Sequence, residues 1–344
     1  MYERLRPWLF RTDPEWAHNR TLDLLSIVGL TGLGRRLIRR AFPVPRAVRR
    51  VRAMGLEFAN PLGLAAGYDK DGRAMHGLAS LGFGHLELGT VTPAPQAGNP
   101  QPRLFRLPQD EALINRMGFP SAGAEVLARR LARGRPAGTV VGVNIGKGAD
   151  TPLERAAEDY CWLLRRFYGL ADYLSINVSS PNTPGLRRLQ MRDLLESLLR
   201  ALADERRGCA ARVGRHLPLL VKLAPDLTDE ELEQAVGAVA DAGLEGVIAT
   251  NTTLDRSGLR SAARGEVGGL SGAPLRQRST EVIRRLARWA DGKLVIVGVG
   301  GILSARDARE KLEAGATLVQ VYTGLVYRGP GLVRGILVGL GAQE

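Results

Sequence analysis

The sequence has few cysteines and histidines, and this shortage excludes several kinds of site. Its 344 residues include two cysteines, Cys161 and Cys209, and neither lies in a CxxC or Cys/His spacing. Such spacings are typical of zinc and iron–sulfur sites, so the sequence predicts no bound metal, and two isolated cysteines indicate a reducing compartment. The four histidines are scattered along the chain. Hydrolysis by a metal or by a Ser-His-Asp triad is therefore not expected.

Long apolar runs are also missing. No run approaches the roughly 20 residues that a bilayer-spanning helix needs, so we do not expect an integral membrane protein. The first residues contain no continuous apolar segment followed by small residues, and they do not resemble a secretory signal. Hydrophobic residues at 44% and charged residues at 24% are ordinary for a globular protein. A chain of this length can form one long α/β barrel or two smaller domains.

Lysine is scarce, yet the chain is strongly basic. Only five of the 48 basic residues are lysines, and the formal net charge is +13. Residues 1–52 carry twelve arginines against four acidic residues, a net charge of +8, so most of the excess lies in one N-terminal segment. A basic segment attracts nucleic acid or an anionic lipid surface, and charge alone does not choose between them.

Residues 1 to about 50 have the pattern of short amphipathic helices. Residues 12–15, Thr-Asp-Pro-Glu, form a capping-box pattern with proline in the first turn, which predicts a helix from there to about Gly29. Residues 42–45, Phe-Pro-Val-Pro, end a later helix and act as a linker. Apolar faces are formed by Tyr2, Leu5, Trp8 and Leu9 in the first helix, and by Leu33, Leu37, Ile38 and Ala41, opposite arginines, in the last.

From residue 55 onward, short apolar runs alternate with amphipathic helical stretches. The runs are 61–66, 85–90, 140–145, 173–178, 219–223, 246–250, 294–299 and 318–322, and clear helical stretches are 153–167, 193–206, 229–242 and 279–289. Near-continuous apolar strands that alternate with helices indicate a parallel sheet covered by helices. Eight such units predict a (β/α)₈ TIM barrel over residues 51–344, with residues 1–50 as an N-terminal helical extension. The alternative, a doubly wound sheet, lacks a GxGxxG sequence after its first strand.

Polar residues follow the predicted strands, at the end of a barrel where active sites lie. Five asparagines (115, 144, 177, 182 and 251) offer the paired donors and acceptors that suit a pyrimidine-like ring or a flavin. Lys70 and Lys222 accompany them, and a lysine can pair with a carboxylate or stabilise negative charge. Glycines after the seventh and eighth strands suit a phosphate. Together these groups fit a flavin mononucleotide (FMN) redox enzyme.

The same residues carry a family resemblance. The segments are Gly-Leu-Ala-Ala-Gly-Tyr-Asp-Lys-Asp-Gly (63–72), Asn-Arg-Met-Gly-Phe (115–119), Asn-Val-Ser-Ser-Pro-Asn-Thr-Pro-Gly-Leu (177–186), Ala-Thr-Asn-Thr-Thr (249–253) and Gly-Val-Gly-Gly-Ile (298–302). In this order they resemble the class 2 dihydroorotate dehydrogenases. The resemblance implies a (β/α)₈ barrel with an N-terminal helical extension. It also implies oxidation of dihydroorotate to orotate through one bound FMN, in de novo pyrimidine biosynthesis, with a membrane quinone as the electron acceptor.

The resemblance also implies roles for individual residues. It places Ser180 as the catalytic base, at a position where class 1 enzymes have cysteine. One departure is Tyr68, where an aliphatic residue is expected. The implied FMN-binding residues are Ala66, Gly67, Tyr68, Asp69, Lys70, Thr90, Asn144, Asn177, Lys222, Thr250, Gly272, Gly301, Tyr322 and Thr323. The implied substrate-binding residues are Lys70, Asn115, Arg116, Met117, Gly118, Phe119, Asn177, Asn182, Asn251 and Thr252.

A quinone acceptor implies contact with a membrane. We expect the N-terminal helices to lie on an anionic membrane surface, at the cytoplasmic face of the cell membrane, and to form the entrance for the quinone. His18, Arg103 and Tyr322 are candidates for contacts with the quinone head. We expect a monomer that uses neither nucleic acid nor an iron–sulfur partner subunit.

Two alternatives differ in acceptor or in substrate class. A soluble class 1 dihydroorotate dehydrogenase would use fumarate or NAD, and both the serine at 180 and the N-terminal helices count against it. A tRNA-dihydrouridine-synthase-type flavoprotein or an RNA-binding module would fit the basic charge. It would, however, need a cysteine acid near the flavin and basic patches on the barrel rim, whereas the basic excess lies in the N-terminal segment.

Overall fold

Eight parallel strands close into a barrel in the computed structural model, which describes residues 2–45 and 48–341. The strands, in chain order, are β3 (Leu62–Leu64), β4 (His85–Val91), β7 (Val140–Ile145), β8 (Tyr173–Asn177), β9 (Leu219–Leu223), β10 (Gly246–Ala249), β12 (Val295–Val299) and β13 (Leu318–Val321). They are the eight predicted runs. β13 pairs with β3, which closes the ring, so the (β/α)₈ barrel prediction is confirmed.

The barrel strands are buried on both faces because side chains fill the barrel and helices cover its outside. Every residue of β4, β7, β8 and β9 is buried. This double burial explains why the strands read as continuous apolar runs and not as an alternating pattern. It also makes each polar side chain inside a strand conspicuous, since such a group must find a partner in the barrel interior.

Helices surround the barrel. They are α4 (Met75–Ala79), α5 (Ala124–Ala132), α6 (Ala156–Phe167), α7 (Arg192–Val213), α8 (Asp229–Asp241), α9 (Arg276–Ala290), α10 (Ala305–Glu313), α11 (Thr323–Arg328) and α12 (Gly331–Gly341). The helix α7 is longer than the predicted 193–206, and it ends where Gly214 adopts a positive φ of 69°. The helix α8 begins with a capping box in which Thr228 and Glu231 bond each other's backbone.

Three helices precede the barrel: α1 (Tyr2–Leu9), α2 (Pro14–Leu30) and α3 (Gly32–Ala41). The predicted capping box at the start of α2 is wrong in one detail. Asp13 caps the helix by accepting a hydrogen bond from the Trp16 amide at 2.8 Å, whereas the Thr12 hydroxyl donates back to the Leu9 carbonyl. Within the described residues, no helix has both the length and the apolarity to cross a membrane.

The extension rests directly on the barrel, because α2 packs against α4. At their closest approach a Cβ on Gly29 would lie 2.5 Å from the backbone nitrogen of Gly77, so the two helices touch backbone to backbone. A second contact between the extension and the barrel is the Arg103–Glu15 ion pair at 2.6 Å, which joins α2 to the segment after β4.

Two small antiparallel sheets were not predicted. The hairpin of β1 (Val51–Ala53) and β2 (Leu56–Phe58) precedes the first barrel strand. The other sheet joins the hairpin of β5 (Leu104–Leu107) and β6 (Ala112–Asn115) to β11 (Gly269–Gly272), which lies more than 150 residues further along the chain. This second sheet matters for the site, since its strands bring Asn115 and Gly272 to the rim of the barrel.

Candidate functional site

A cavity of about 980 Å³, counting its open mouth, lies at the carboxyl ends of the barrel strands. We call it the rim cavity. Most of the predicted site residues line it, so the structure brings together residues that follow different strands in the sequence. The predicted residues that line it are Ala66, Gly67, Lys70, Thr90, Asn115, Met117, Gly118, Phe119, Asn177, Ser180, Asn182, Lys222, Thr250, Asn251, Thr252, Gly272, Gly301, Tyr322 and Thr323.

Four predicted residues lie outside this lining. Asp69 accepts hydrogen bonds from the backbone amides of Arg73 and Ala74, so it holds the turn after β3. Arg116 is ion-paired with Glu266 at 2.6 Å and points away from the cavity. Tyr68 packs behind the lining, and Asn144 lies one layer deeper in the barrel. For these side chains the structure shows a supporting position, and direct contact with a ligand stays a prediction.

The asparagines form two hydrogen-bonded groups, one of Asn144, Asn177 and Asn251 and one of Asn115 and Asn182. Asn177 Nδ2 donates to Thr90 Oγ1 at 2.9 Å and to Asn144 Oδ1 at 3.1 Å. Asn251 Nδ2 donates to Asn177 Oδ1 at 3.3 Å, and Asn182 Nδ2 donates to Asn115 Oδ1 at 3.1 Å. Such a network fixes the orientation of each amide before a ligand arrives, which suits recognition of a ring with alternating donors and acceptors.

Lys70 is the clearest sign that the rim cavity suits an anionic or hydrogen-bond-accepting ligand. Its Nζ is buried, and none of the described residues accepts a hydrogen bond from it. Burial lowers the pKa of Lys70 to about 7, and the nearby Arg103 charge acts in the same direction. A buried amine without a partner is costly, so the lysine is suited to pair with a ligand that supplies negative charge.

Ser180 lies on the rim cavity and is buried. Its Oγ accepts a hydrogen bond from the Asn182 amide at 3.2 Å, which leaves the hydroxyl proton free to point into the cavity. Thr183, three residues further along the chain, is also buried. No direct hydrogen bond joins the two hydroxyls within the described part of the chain, so a relay would need an intervening group such as water.

The opposite end of the rim cavity is rich in glycine. At Gly301, φ is +70° and a Cβ would lie 2.4 Å from Arg276 Cα, so the loop after β12 approaches the start of α9 with no room for a side chain. Nearby, the hydroxyls of Ser271 and Thr323 are 2.8 Å apart. Backbone amides and two hydroxyls at a glycine-rich rim suit a phosphate group. The residues present therefore fit a ring at one end of the cavity and a phosphate at the other.

The prediction from sequence missed a buried carboxylate below the rim cavity. Glu87, in the middle of β4, is completely buried and lies 3.9 Å from Lys222 Nζ. The prediction also missed Ser271 and Gln320, which line the cavity. The signal for Glu87 was a carboxylate in the middle of a predicted strand. For Ser271 there was no comparable signal, because its strand belongs to the unpredicted sheet.

A second cavity of about 1150 Å³ opens between the N-terminal helices and the barrel. We call it the apolar cavity, because aliphatic and aromatic side chains such as Phe10, Leu25 and Leu81 dominate its lining. Tyr322 lines both cavities and so separates them. His18 also lines the apolar cavity, and burial lowers the pKa of its imidazole to about 4. Arg103 does not line it and instead bonds Glu15.

Tyr68 stands behind the partition between the two cavities. Its ring packs edge-to-face on Tyr322 at 5.5 Å and on His18 at 5.0 Å. Burial raises the pKa of its hydroxyl, so Tyr68 is a neutral aromatic group. The three rings form a continuous wall between the polar and the apolar space.

Comparisons with known proteins agree with this arrangement. The family described as Dihydroorotate dehydrogenase matches residues 49–343. The chain is 54% identical over 335 residues to the dihydroorotate dehydrogenase (quinone) of Azotobacter vinelandii, covering 97% of this chain and 95% of that protein. It is 51% identical to the corresponding Pseudomonas fluorescens protein, with 97% of each chain covered. Among solved structures, DHODH from Eimeria tenella in complex with ferulenol superposes with a TM-score of 0.86 at 39% identity, covering 95% of this chain and 90% of that one.

Proposed function

This chain belongs to the quinone-dependent class of the dihydroorotate dehydrogenase family, and from that premise we propose how its two cavities divide the reaction. It oxidises dihydroorotate to orotate with a quinone as the electron acceptor. The observation that carries the proposal is that a polar and an apolar cavity meet at Tyr322. A charged pyrimidine suits the polar side and a quinone suits the apolar side. The pathway served would be de novo pyrimidine biosynthesis.

We propose that the rim cavity binds one FMN per chain. The unpartnered Lys70 ammonium, the asparagine network and the glycine-rich loop at Gly301 fit its ring and its phosphate. The chemistry that FMN supplies when bound is acceptance of a hydride and delivery of the electrons to a quinone. Asn177, Thr90 and Lys222 would hold the ring, with Asn144 fixing their orientation from below.

The substrate would lie between the asparagines and Lys70. Asn115, Asn182 and Asn251 would bond the edges of the pyrimidine ring, and the Lys70 ammonium would face its carboxylate. Ser180 Oγ would take the proton from C5 of dihydroorotate while a hydride leaves C6. A serine hydroxyl is a weak base, so the buried setting of Ser180 and a proton relay would be needed for this step.

The apolar cavity would admit the quinone from a membrane. Large apolar side chains on the N-terminal helices face solvent, including Trp8, Leu33 and Leu37, at 68%, 67% and 57% exposure. Arg35, Arg36, Arg39 and Arg40 lie on the same short helix as Leu33 and Leu37. Exposed apolar groups beside arginines are typical of a helix at an anionic interface. We place the protein peripherally on the cytoplasmic face of the cell membrane.

The visible spectrum of the purified protein tests the cofactor and the first half of the reaction. We expect flavin absorbance near one FMN per chain, bleached by dihydroorotate without added acceptor. A colourless protein that gains no flavin on incubation with FMN would contradict the proposal. Flavin that is bound but not bleached would contradict the substrate assignment alone.

Deletion of residues 1–42 tests the second half of the reaction, in which a quinone reoxidises the protein. The truncated protein should still be reduced by dihydroorotate in a single turnover, because the rim cavity is built by the barrel. It should lose rapid reoxidation by a long-chain quinone and bind anionic vesicles more weakly, and vesicle binding by the intact protein should fall with added salt. Full quinone reduction by a folded, flavin-loaded truncation would remove this segment from the quinone route.

A further inference from the structure

Glu87, which the functional proposal above does not use, lies at the centre of a buried polar cluster. Its two carboxylate oxygens receive hydrogen bonds from the side chains of Asn144 (3.0 Å), Ser175 (3.0 Å), Tyr173 (3.1 Å) and Gln320 (2.9 Å). Each donor comes from the barrel interior, and Glu87 itself is fully buried. Four side-chain donors therefore converge on one carboxyl group, which as a carboxylate is purely an acceptor.

The cluster is joined to the FMN site at two points. Lys222 Nζ is 3.9 Å from Glu87 Oε1 and also lines the rim cavity. Asn144 donates a hydrogen bond from its Nδ2 to Glu87. This bond orients the Asn144 Oδ1 toward the cavity, where it accepts a hydrogen bond from Asn177, a residue of the cavity wall. Glu87 therefore touches the back of the site while lying outside the cavity lining.

We propose that Glu87 is a positioning residue that keeps Lys222 in its ammonium form beneath the bound FMN ring and thereby sets how strongly the site favours the reduced cofactor. This inference rests on the proposed FMN site. Burial lowers the pKa of Lys222, and the neighbouring Glu87 charge opposes that shift. Without the carboxylate, a desolvated amine with no other charged partner in the cluster would lose its proton more readily.

The other titratable groups near this pair stay neutral. Tyr173, from β8, has a pKa raised well above its usual value by burial and by Glu87. His85, two residues before Glu87 on β4 and reached through Gln320 of β13, has a pKa lowered to about 3 by burial. The charge balance beneath the ring thus depends on Glu87 and Lys222 as a pair.

The test is a double-mutant cycle on the flavin-loaded protein, read as the FMN midpoint potential at pH 6 and at pH 9. At pH 9, Glu87→Gln should lower the potential toward that of Lys222→Met. A tenfold loss of preference for the reduced cofactor corresponds to about 30 mV for a two-electron couple. At pH 6, where the amine regains its proton, the Glu87→Gln potential should return to the wild-type value or exceed it. In the Lys222→Met background, Glu87→Gln should no longer lower the potential at pH 9, because no amine is left to lose its proton, and removal of the uncompensated carboxylate should instead raise it.

Tyr173→Phe is the matched control, because it removes one hydrogen bond to Glu87 and leaves the charge in place. Its potential should match that of the wild type. A Glu87→Gln shift of the same size at both pH values, or a lowering of the potential that persists in the Lys222→Met background, would overturn the proposal. A wild-type protein that binds no FMN at all would instead count against the functional proposal.

A stability measurement covers the case in which Glu87→Gln retains no flavin. In the FMN-free protein, Lys222→Met leaves Glu87 as an uncompensated buried anion, so its melting temperature should fall. Adding Glu87→Gln removes that anion and should raise the melting temperature again. If the double variant melts below Lys222→Met, the two groups do not act as a charge pair and the proposal fails.

Discussion

The rim cavity and the apolar cavity share Tyr322 but are built in opposite ways. Side chains around the rim cavity come from strand ends and hold one another by hydrogen bonds, as Asn177 does with Thr90 and Asn144. The apolar cavity is walled partly by helices α1 and α2, which also expose Trp8 and Ile27 to solvent. A preorganised polar site suits a reaction that needs exact geometry. A less constrained apolar wall suits a long, flexible ligand.

The largest expected effect falls on the rim cavity alone. Ser180→Ala removes the proposed base, and loss of a general base typically slows a reaction about 10²- to 10⁴-fold. We expect FMN to be retained and the rate of flavin reduction by dihydroorotate, measured by stopped-flow absorbance, to fall by that factor. Cysteine at this position should rescue it in part. Reoxidation by quinone after chemical reduction should stay at the wild-type rate, and an undiminished reduction rate would exclude Ser180 from the mechanism.

A smaller effect concerns the pH dependence of orotate binding. The pKa of Lys70 is lowered to about 7 by burial, and a bound carboxylate should raise it. Below pH 7 the lysine is protonated with or without ligand, so affinity should be flat with respect to this group. Above pH 7 binding must take up a proton, so affinity should fall by up to about tenfold per pH unit until the raised pKa is passed.

Calorimetric titration of the flavin-loaded protein in buffers of different ionisation enthalpy measures this uptake directly. Lys70→Met should bind orotate more weakly and should abolish the proton uptake. Uptake that persists in Lys70→Met would assign the titration to another group.

The difference between the two regions also decided what could be predicted from sequence. All eight barrel strands were predicted because double burial produces apolar runs, and the polar residue after each run marked the rim. The β5–β6 hairpin was missed, and the third strand of its sheet, β11, pairs with β6 across more than 150 residues, as in the Asn115–Gly269 pair. Local patterns carry no information on such pairing.

Whether a side chain contacts the rim cavity was harder to predict than which backbone segments lie at the rim. Asp69 and Arg116 belong to motifs that line the cavity, yet their side chains turn toward backbone amides and toward Glu266. A motif places a backbone segment, whereas the direction of each side chain depends on partners that are distant in sequence. For the same reason, the sequence shows Glu87 as a charged residue in the middle of β4, but its proposed role can be inferred only from the positions of Lys222 and Asn144 in the structure.

A further prediction concerns the outer surface of the N-terminal helices. Leu33→Glu and Leu37→Glu should each weaken binding to anionic vesicles about tenfold or more, since burying a leucine is worth about 1.5–3 kcal/mol and a glutamate also repels the headgroups. Co-sedimentation with vesicles measures the loss. Val267→Glu is the matched control, because Val267 is 75% exposed but lies on the barrel side. Equal losses for all three variants would argue against a defined membrane face.

The smallest expected effect concerns the wall between the cavities. Tyr68→Leu removes two edge-to-face contacts, with Tyr322 at 5.5 Å and with His18 at 5.0 Å. Each such contact is worth about 0.5–1.5 kcal/mol. Both partner rings line the apolar cavity, so their displacement should slow reoxidation by quinone about 2- to 10-fold, with little change in reduction by dihydroorotate. Double-mixing stopped-flow separates the two half-reactions.

Tyr68→Phe is the informative control for this position. It keeps the ring and both contacts but removes the hydroxyl, so it should behave as the wild type if packing alone is the role of Tyr68. A Tyr68→Phe defect equal to that of Tyr68→Leu would assign the role to the hydroxyl. Slower reduction by dihydroorotate in Tyr68→Leu, with quinone reoxidation unchanged, would instead place Tyr68 functionally on the side of the rim cavity, because Lys70 follows it by two residues and lines that cavity.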